Sequence, residues 1–265
     1  MSSIACGRRS TPSRTLTEAG ARARLAIGFE DGDGDPRTAV AARRGFTGWT
    51  LRVKGTPAHS SQVFRDDIGP GAIYETARIL DAFRTQLGGD PLRTFNVGVA
   101  VGGTTVSLDS TGTRGVAFGK SNVIPEHMTV SGDLRVISPL ALADAKERMQ
   151  AIAGQTTRGT SAALVFDDGY PPMAPAPGNL SLLADFDRAS RHLGFGAVGM
   201  DNPARAGAAD VSFIAATVPS VIDGLGPGGT GGHTVNETVN LRTIPMQIAR
   251  TAVLLNRITR GAPVP

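Results

Sequence analysis

The order of secondary-structure signals between about residues 46 and 168 constrains the fold of this chain more than any other feature. Residues 48–55, GWTLRVKG, alternate apolar and polar side chains, as a half-buried strand does. A helical pattern, several strand signals, a second helical pattern and a last strand at residues 162–166 follow in that order. This order predicts two helices on one face of a mostly antiparallel sheet, with an edge free to pair with a second copy.

The helices of this region are predicted from the spacing of their apolar residues. Such residues recur at the helical interval from Ile73 through Ala77 to Leu87, where two glycines follow, and again from Leu142 to Ile152. We expect both of these faces to point into the core. The strand signals between the helices lie at residues 95–103, 121–125 and 128–137.

The segments on either side predict a second, α/β domain in two pieces. A helix is predicted at residues 15–24, a short buried strand at 25–29, and a proline-rich linker at 170–177. A helix with Leu182 and Phe186 inward follows the linker, and then a strand at residues 218–226. The last helix is predicted at residues 243–260, with Ile244, Ile248, Leu255 and Ile258 inward. Residues 1–45 and 169–265 would thus form one domain, with residues 46–168 inserted.

Composition excludes several classes of protein. The chain has no apolar run long enough for a membrane span. Its net charge is only +4, without a basic patch interleaved with aromatic residues, so we expect no nucleic-acid partner. A single cysteine excludes an internal disulfide. We expect a soluble protein, and the sequence leaves a cytoplasmic, periplasmic or secreted location open.

Two candidate metal ligands lie outside the central region. His233 follows five glycines in LGPGGTGGHTVNETV, and glycines let a backbone approach a ligand closely. A neutral imidazole is the commonest metal ligand. Glu30 ends the predicted buried strand, where open α/β sheets place their sites. On position alone, a surface-loop histidine without a function is favoured for His233, and a solvated turn acid explains Glu30 at least as well as a metal ligand does.

Four further residues are candidates for binding or catalysis. His59, just after a strand, is placed either to donate to a developing oxyanion or to cap the next segment. Asn122 and Arg135 lie in neighbouring predicted strands, and the planar fork of an arginine matches a carboxylate. An exposed strand arginine is the alternative. Asp210 is either a helix N-cap or a partner that orients a ligating histidine.

Four segments in order resemble the zinc-dependent carboxypeptidase and aminoacylase family, metallopeptidase family twenty. They are IGFE at residues 27–30, RRGFTGWTLRVKGTPAHSS at 43–61, KSNVIPEHMTVSGDLR at 120–135, and the stretch from AGAADVSF to GGHTVNET at 206–238. The resemblance implies an α/β zinc-peptidase domain, here its C-terminal part at residues 1–45 and 169–265. It also implies an inserted α+β dimerisation domain, the lid, at residues 46–168, with two helices on a mostly antiparallel four-stranded sheet.

The resemblance also implies roles for the candidate residues. Glu30 and His233 would each bind one of two zinc ions per subunit. His59 would polarise the scissile carbonyl in the partner subunit's active site, and Asn122 and Arg135 would hold the carboxylate end of the substrate. In the family the two metals acidify a shared water, and a glutamate moves its proton to the leaving amine.

The sequence departs from the family pattern in its zinc motifs. It contains neither a His-x-Asp motif nor an adjacent Glu-Glu pair. Residues 7–14 resemble the stretch that follows this pair, so the pair would fall at about Ala5 and Cys6. We therefore expect a chain that begins downstream of half of the active site and binds zinc weakly. Alone it should not hydrolyse N-acyl amino acids.

The function implied by the resemblance is that of a metallo-hydrolase. It would cleave an amide or peptide bond in a small carboxylate-bearing substrate, such as an N-acyl amino acid or a short peptide. It would form a homodimer through the lid. The alternative is a non-catalytic relative that dimerises or binds a ligand.

Overall fold

A computed structural model describes residues 14–232 and 234–261, and these divide into two compact units. The first unit is Phe46–Gly169, and the second combines residues 14–45 with 170–261. His233 lies outside the described residues, as do Ala5 and Cys6. No helix in the described part of the chain has both the length and the apolar composition needed to cross a bilayer.

The helices and strands of the described residues are numbered in chain order. The helices are α1 (Arg14–Gly20), α2 (Gly71–Leu87), α3 (Pro139–Gly154), α4 (Pro177–His192) and α5 (Thr243–Arg260). The strands are β1 (Ala26–Ile27), β2 (Thr38–Ala39), β3 (Thr47–Gly55), β4 (Thr94–Gly103), β5 (Thr105–Leu108), β6 (Gly115–Phe118), β7 (His127–Arg135), β8 (Thr160–Asp168), β9 (Gly199–Met200), β10 (Val221–Ile222), β11 (Gly229–Thr230) and β12 (Thr238–Val239).

The first unit is built on a four-stranded antiparallel sheet in the order β4–β7–β3–β8. In chain order its main elements run β3, α2, β4, β7, α3, β8, which is the split βαβ arrangement of two helices on one sheet. A hairpin of β5 and β6 is inserted between β4 and β7. The predicted fold class of this region, helices on a mostly antiparallel four-stranded sheet, is confirmed.

The core of the first unit lies between the sheet and the two helices. Trp49, Leu51 and Val53 of β3 are at most 2% exposed, as the alternation of residues 48–55 predicts. The Trp49 ring meets the Phe83 ring of α2 edge-on, with 6.1 Å between centroids. Residues 50, 52 and 54 therefore point to the opposite face of the sheet, on which the described residues place no helix.

The inward face of α2 differs from the prediction in its first two turns. Phe83 and Leu87 are buried as expected, but Ile73 and Ala77 are exposed, and Glu75 is buried instead. Burial by itself raises the pKa of Glu75, but hydrogen bonds from Arg78 and Thr157 outweigh it and leave the pKa below its usual range. The buried face of α2 thus includes a carboxylate that one partner on the helix, Arg78, and one remote in sequence, Thr157, satisfy.

Two connecting segments of the first unit also differ from the sequence prediction. Residues 121–125 were expected to form a strand, but Asn122 lies in a turn in which the Val123 amide donates to the Lys120 carbonyl at 3.1 Å. The β5–β6 hairpin was not expected. Its loop is closed by the Asp109 carboxylate, which accepts the backbone amides of Thr113 and Arg114.

The second unit contains short parallel strand pairs covered by helices. β1 pairs with β10 and β2 with β9, both in parallel, and Val40 bridges Asp223 between the two pairs. Leu182 and Phe186 of α4 are buried against this layer as predicted. The strand expected at residues 218–226 contracts to β10, and the helix expected at residues 15–24 ends at Gly20.

The last helix has the predicted bounds, and Ile258 packs against the core as predicted. Ile248 is 63% exposed and Leu255 41%, so their predicted burial is wrong. Leu254 is buried in their place, and the first turns of the buried face are polar because they hold the backbone of the glycine-rich loop. Thr243 accepts the Gly228 amide at 2.8 Å, and Gln247 donates to the Gly226 carbonyl at 3.2 Å.

Candidate functional site

His59 and Asn122 lie side by side in the first unit. The chain from β3 enters a short 3-10 helix at Ser60, and His59 is its N-cap. The Ser60 amide donates to the Asn122 carbonyl at 3.0 Å, and His59 and Val123 form an isolated antiparallel bridge. The side chains of His59 and Asn122 are both exposed. Two polar side chains from separate segments thus share one surface.

The hydrogen bonds of His59 select one tautomer of its ring. Nδ1 accepts the backbone amide of Ser61 at 3.3 Å and lies 2.9 Å from the Ser61 hydroxyl. With Nδ1 acting as acceptor, the neutral ring carries its proton on Nε2. The exposed Nε2–H is then free to donate a hydrogen bond to a carbonyl oxygen outside this loop.

Arg135 occupies a separate cleft on the helix-free face of the sheet. Its Nε lies 2.8 Å from a carboxylate oxygen of Asp133, and its guanidinium stacks 5.3 Å from the centroid of the Phe46 ring. The cleft has a volume of about 720 Å³ and is also lined by Asn96 and Ser131. The Arg135 side chain is 36% exposed, so part of its fork is open to a ligand.

Asn122 and Arg135 do not adjoin each other, contrary to their predicted placement in neighbouring strands. Asn122 precedes β7, whereas Arg135 is its last residue. Nine residues of extended chain span about 26 Å at the usual rise of a strand. A small substrate therefore cannot contact both residues of one chain.

Glu30 lies beside the glycine-rich loop in the second unit. It follows β1, and its carbonyl accepts the Gly226 amide at 3.0 Å. The two segments approach so closely that a Cβ at Gly34, where φ is +84°, would lie 2.1 Å from the Gly229 carbonyl oxygen. A Cβ at Gly232 would lie 3.7 Å from an Asp31 carboxylate oxygen. The acidic turn and the residue preceding His233 are thus neighbours.

A buried ion pair, which the sequence analysis did not identify, holds the backbone at Glu30. The Oδ1 atom of Asp223 accepts the amides of Glu30 at 3.2 Å and Gly224 at 2.8 Å. Its Oδ2 atom pairs with Nε of Arg43 at 2.9 Å, and both side chains are at most 5% exposed. The sequence pattern that could have identified Asp223 is an acidic residue at the end of a buried apolar strand. The same pattern made Glu30 a candidate.

Asp210 is not the N-cap that one of its two interpretations predicts. It is the first residue of a 3-10 helix whose N-cap is Ala209, and its carboxylate accepts the Tyr170 hydroxyl at 3.3 Å.

The acidic turn that follows Glu30 in the sequence contains Asp35. Hydrogen bonds from Arg37 lower the pKa of Asp35 to about 2. Asp35 is therefore ionised and already paired at neutral pH.

The described residues do not by themselves make a metal centre. Among them, no three or more histidine, cysteine or acidic side chains are grouped closely enough to hold an ion. Glu30 supplies one exposed carboxylate, and structural or catalytic zinc normally takes three or four protein ligands. No reaction step is therefore assigned to a metal.

Comparison with known proteins connects this fold to a family. Residues 41–160 match a family model described as the peptidase dimerisation domain. The chain is similar to aminopeptidase PepT of Bacillus cereus, at 18% identity and a TM-score of 0.66, covering 92% of this chain and 62% of that one. It is also similar to the YxeP protein of Bacillus subtilis, described as a dinuclear metal binding peptidase from the M20 family. The identity to that protein is 16% and the TM-score is 0.62, and the match covers 91% of this chain and 60% of that one.

A third similar structure is an amidase of the hydantoinase/carbamoylase family from Burkholderia phymatum. It is 18% identical with a TM-score of 0.59, and the match covers 89% of this chain and 55% of that one. A comparison with curated proteins found no match. At these identities the likeness to solved structures establishes the fold, and this chain spans about three fifths of the length of the first relatives.

The first unit therefore matches the peptidase dimerisation domain in sequence and in fold. The solved structures that the chain is similar to include a peptidase of the M20 family and an amidase. The family resemblance stated from the sequence is confirmed.

Proposed function

We propose that this chain supplies the dimer-forming and substrate-binding parts of an M20-type hydrolase that cleaves an amide bond in a small carboxylate-bearing substrate. The observation that carries the proposal is the placement of His59 and Asn122 together on one surface of a peptidase dimerisation domain. N-acyl amino acids and short peptides are substrates that fit these residues. His59 can donate a hydrogen bond to the carbonyl oxygen of such a substrate, and Arg135 can bind its carboxylate.

Residues near opposite ends of β7, contributed by two different chains, would then bind the same substrate. Because about 26 Å of strand separates them, His59 and Asn122 of one chain would act with Arg135 of the other. Nε2–H of His59 donates to the carbonyl oxygen of the scissile bond and stabilises the negative charge that develops there. Arg135, preorganised by Asp133 and Phe46, holds the carboxylate.

The edge of the sheet at β4 supports a homodimer. β4 is an outer strand, and the N-terminal part of α2 beside it exposes Ile73 and Tyr74. Tyr74 is 60% exposed and stacks on Phe64, which is 63% exposed, with 5.3 Å between ring centroids. An open strand edge next to exposed apolar side chains is a surface that pairing with a second copy would bury. Phe64, Ile73 and Tyr74 are called the α2 patch below.

Glu30 and His233 are proposed as metal ligands, one to each of two zinc ions. The support is the backbone contact between the Glu30 turn and the glycine-rich loop, together with the dinuclear metal binding stated for the YxeP protein. Asp210 is proposed as a partner that orients the site, since its carboxylate is anchored by Tyr170. The ligands that would complete such a site are not grouped among the described residues.

A second candidate function is a non-catalytic relative that dimerises and binds a ligand. It is favoured by the same lack of a group of three or more metal-binding side chains within residues 14–232 and 234–261. Turnover of N-acetyl-L-methionine by this chain with added Zn²⁺, stopped by EDTA, would contradict this candidate.

The carboxylate-binding role of Arg135 is tested by binding rather than by turnover. We expect Arg135→Gln to weaken the binding of N-acetyl-L-methionine about tenfold, because a charge-assisted hydrogen bond to the carboxylate is lost. Binding of N-acetyl-L-methioninamide, which has no carboxylate, should not change. Isothermal titration calorimetry measures both. Arg158→Gln, at an exposed arginine outside this cleft, is the matched control. Equal weakening for the acid and the amide would contradict the assigned role.

A further inference from the structure

The helix-free face of the first unit carries a regular array of polar side chains at one end. Arg52 of β3 lies opposite Thr129 of β7 and Ala163 of β8. Two residues further along the same face, Lys54 lies opposite His127 and Ser161. Because alternate residues of a strand share a face, these two rows form one surface of cations flanked by hydroxyl groups.

A cleft forms where the β5–β6 hairpin stands over this array. Its volume is about 440 Å³, which is within the range of pockets that bind small molecules. Val106 and Leu108 of β5 form an apolar wall, and Arg52, Lys54 and His127 form a polar floor. The cleft thus offers both a polar and an apolar side to one ligand.

The charge of the cleft is positive and partly unpaired. None of the described residues that line it is acidic. Glu126, outside the lining, lies 3.4 Å from His127 and 3.6 Å from Lys54, and it offsets part of the Lys54 charge. Arg52 is exposed and has no hydrogen-bond or ion-pair partner among the residues that the structure describes. A guanidinium left free at the centre of such a cleft is suited to an anion.

We propose that this cleft binds a small molecule that bears a carboxylate or phosphate group next to an apolar part. The anion takes the planar fork of Arg52, with Thr129 and Ser161 as neutral hydrogen-bond donors at its sides. The apolar part packs on Val106 and Leu108 of the hairpin. The cleft adjoins that of Arg135, since Arg52 and Leu108 line both, but the proposal does not depend on the roles of His59, Asn122 or Arg135.

The test is a titration of the full chain with probes that separate charge from apolar contact. Hexyl phosphate and hexanoate carry both features, inorganic phosphate and acetate carry only the charge, and hexanol carries only the tail. We expect saturable shifts of backbone amide NMR signals in β3, β5 and β7 with hexyl phosphate or hexanoate. Binding should be weaker with the tail-less anions and absent with hexanol. The stronger of the two tailed probes identifies the anion as phosphate or carboxylate.

Variants locate the binding at Arg52. Arg52→Ala should weaken it about tenfold through loss of the charge-assisted hydrogen bonds, and Arg52→Lys should weaken it less. Arg158→Ala, also at an exposed arginine of this unit, should leave it unchanged. Both side chains are exposed, so unchanged thermal unfolding verifies that the variants fold.

Three results would overturn the proposal. One is the absence of saturation by either tailed anion. Another is binding that Arg135→Gln abolishes and Arg52→Ala does not, which would place it in the neighbouring cleft. The third is a salt-sensitive rise in molecular mass that Arg52→Ala removes without any anion binding, which would make this face a contact between copies.

Discussion

The buried charged residues of the second unit differ in how they are satisfied. Asp223 pairs with Arg43 and also accepts two backbone amides. Arg250 has no acidic partner in the described chain but donates to the carbonyls of Pro36 and Phe195. Asp201 is 2% exposed, and its carboxylate accepts no hydrogen bond from another side chain among the described residues. Of these residues, Asp201 is the one whose charge should cost stability.

Replacing Asp201 should stabilise the protein in a pH-dependent way. Burial, with a smaller contribution from the Asp33 carboxylate, raises the pKa of Asp201. The folded state therefore binds the proton more tightly than the unfolded state, and stability falls as the pH rises through these two pKa values. We expect Asp201→Asn to raise the free energy of unfolding by about 1 kcal/mol at neutral pH, and the gain to vanish below the unfolded pKa. Urea unfolding at several pH values measures it.

The control for this experiment is an acid whose pKa moves in the opposite direction. Burial alone raises the pKa of Asp187, but hydrogen bonds from the Val198 amide and Arg191 leave it below its usual range. Asp187→Asn should therefore destabilise the protein at neutral pH, with an effect that fades as the pH falls through the unfolded pKa. A loss of stability in Asp201→Asn that is the same at every pH would contradict this account.

At the scale of elements, α5 is oriented by polar contacts in its first turns and by the apolar burial of Leu254 further along. Its buried face carries Thr243, Gln247 and Arg250, each of which hydrogen-bonds backbone from another segment. Its apolar residues Ile248 and Leu255 face outward. The glycine-rich loop, and with it the approach to His233, is therefore held by the polar face of this helix.

This orientation predicts which substitutions in α5 destabilise the protein. Gln247→Ala leaves the buried Gly226 carbonyl without its donor and should cost about 1–3 kcal/mol. Ile248→Ser changes a side chain that is 63% exposed and should cost less than about 0.5 kcal/mol. Urea unfolding of both variants gives the comparison. A larger loss for Ile248→Ser would mean that the apolar face of α5 is buried.

Elements with strong local patterns were predictable from the sequence, and those set by distant contacts were not. The alternation of β3 and the apolar spacing of α4 correctly gave their buried faces. The face of α5 was not predictable, because the carbonyls that its polar residues bind belong to a loop remote in sequence. Glu75 in α2 is a similar case, since Thr157 lies far along the chain.

The sequence selects the candidate site residues, which remain a prediction, but it does not give their geometry. The motifs around His59, Asn122 and Arg135 identified these residues individually. That Asn122 adjoins His59 depends on a turn and a single bridge, and its distance from Arg135 depends on the full length of β7. The basic cleft was within reach of sequence analysis, because the alternation that buries Trp49 and Leu51 also places Arg52 and Lys54 together on the other face.

At the scale of the whole molecule, the proposed substrate site needs two chains. One chain presents His59 with Asn122 and holds Arg135 at the far end of β7, so the proposed site would be completed by residues of a second copy. The matched dimerisation domain, the open β4 edge and the α2 patch all favour such a partner. Self-association is thus the central claim.

The most direct test of this claim is the molecular mass of the chain in solution at micromolar concentration, measured by light scattering after size exclusion. We predict twice the 27.3 kDa of one chain. Tyr74→Glu in the α2 patch should shift the mass to that of a monomer by burying a charge in the interface. Leu140→Glu, at an 84% exposed position of α3 outside the patch, should leave the dimer intact. A monomeric wild-type chain, or a dimer that Tyr74→Glu does not weaken, would contradict the account.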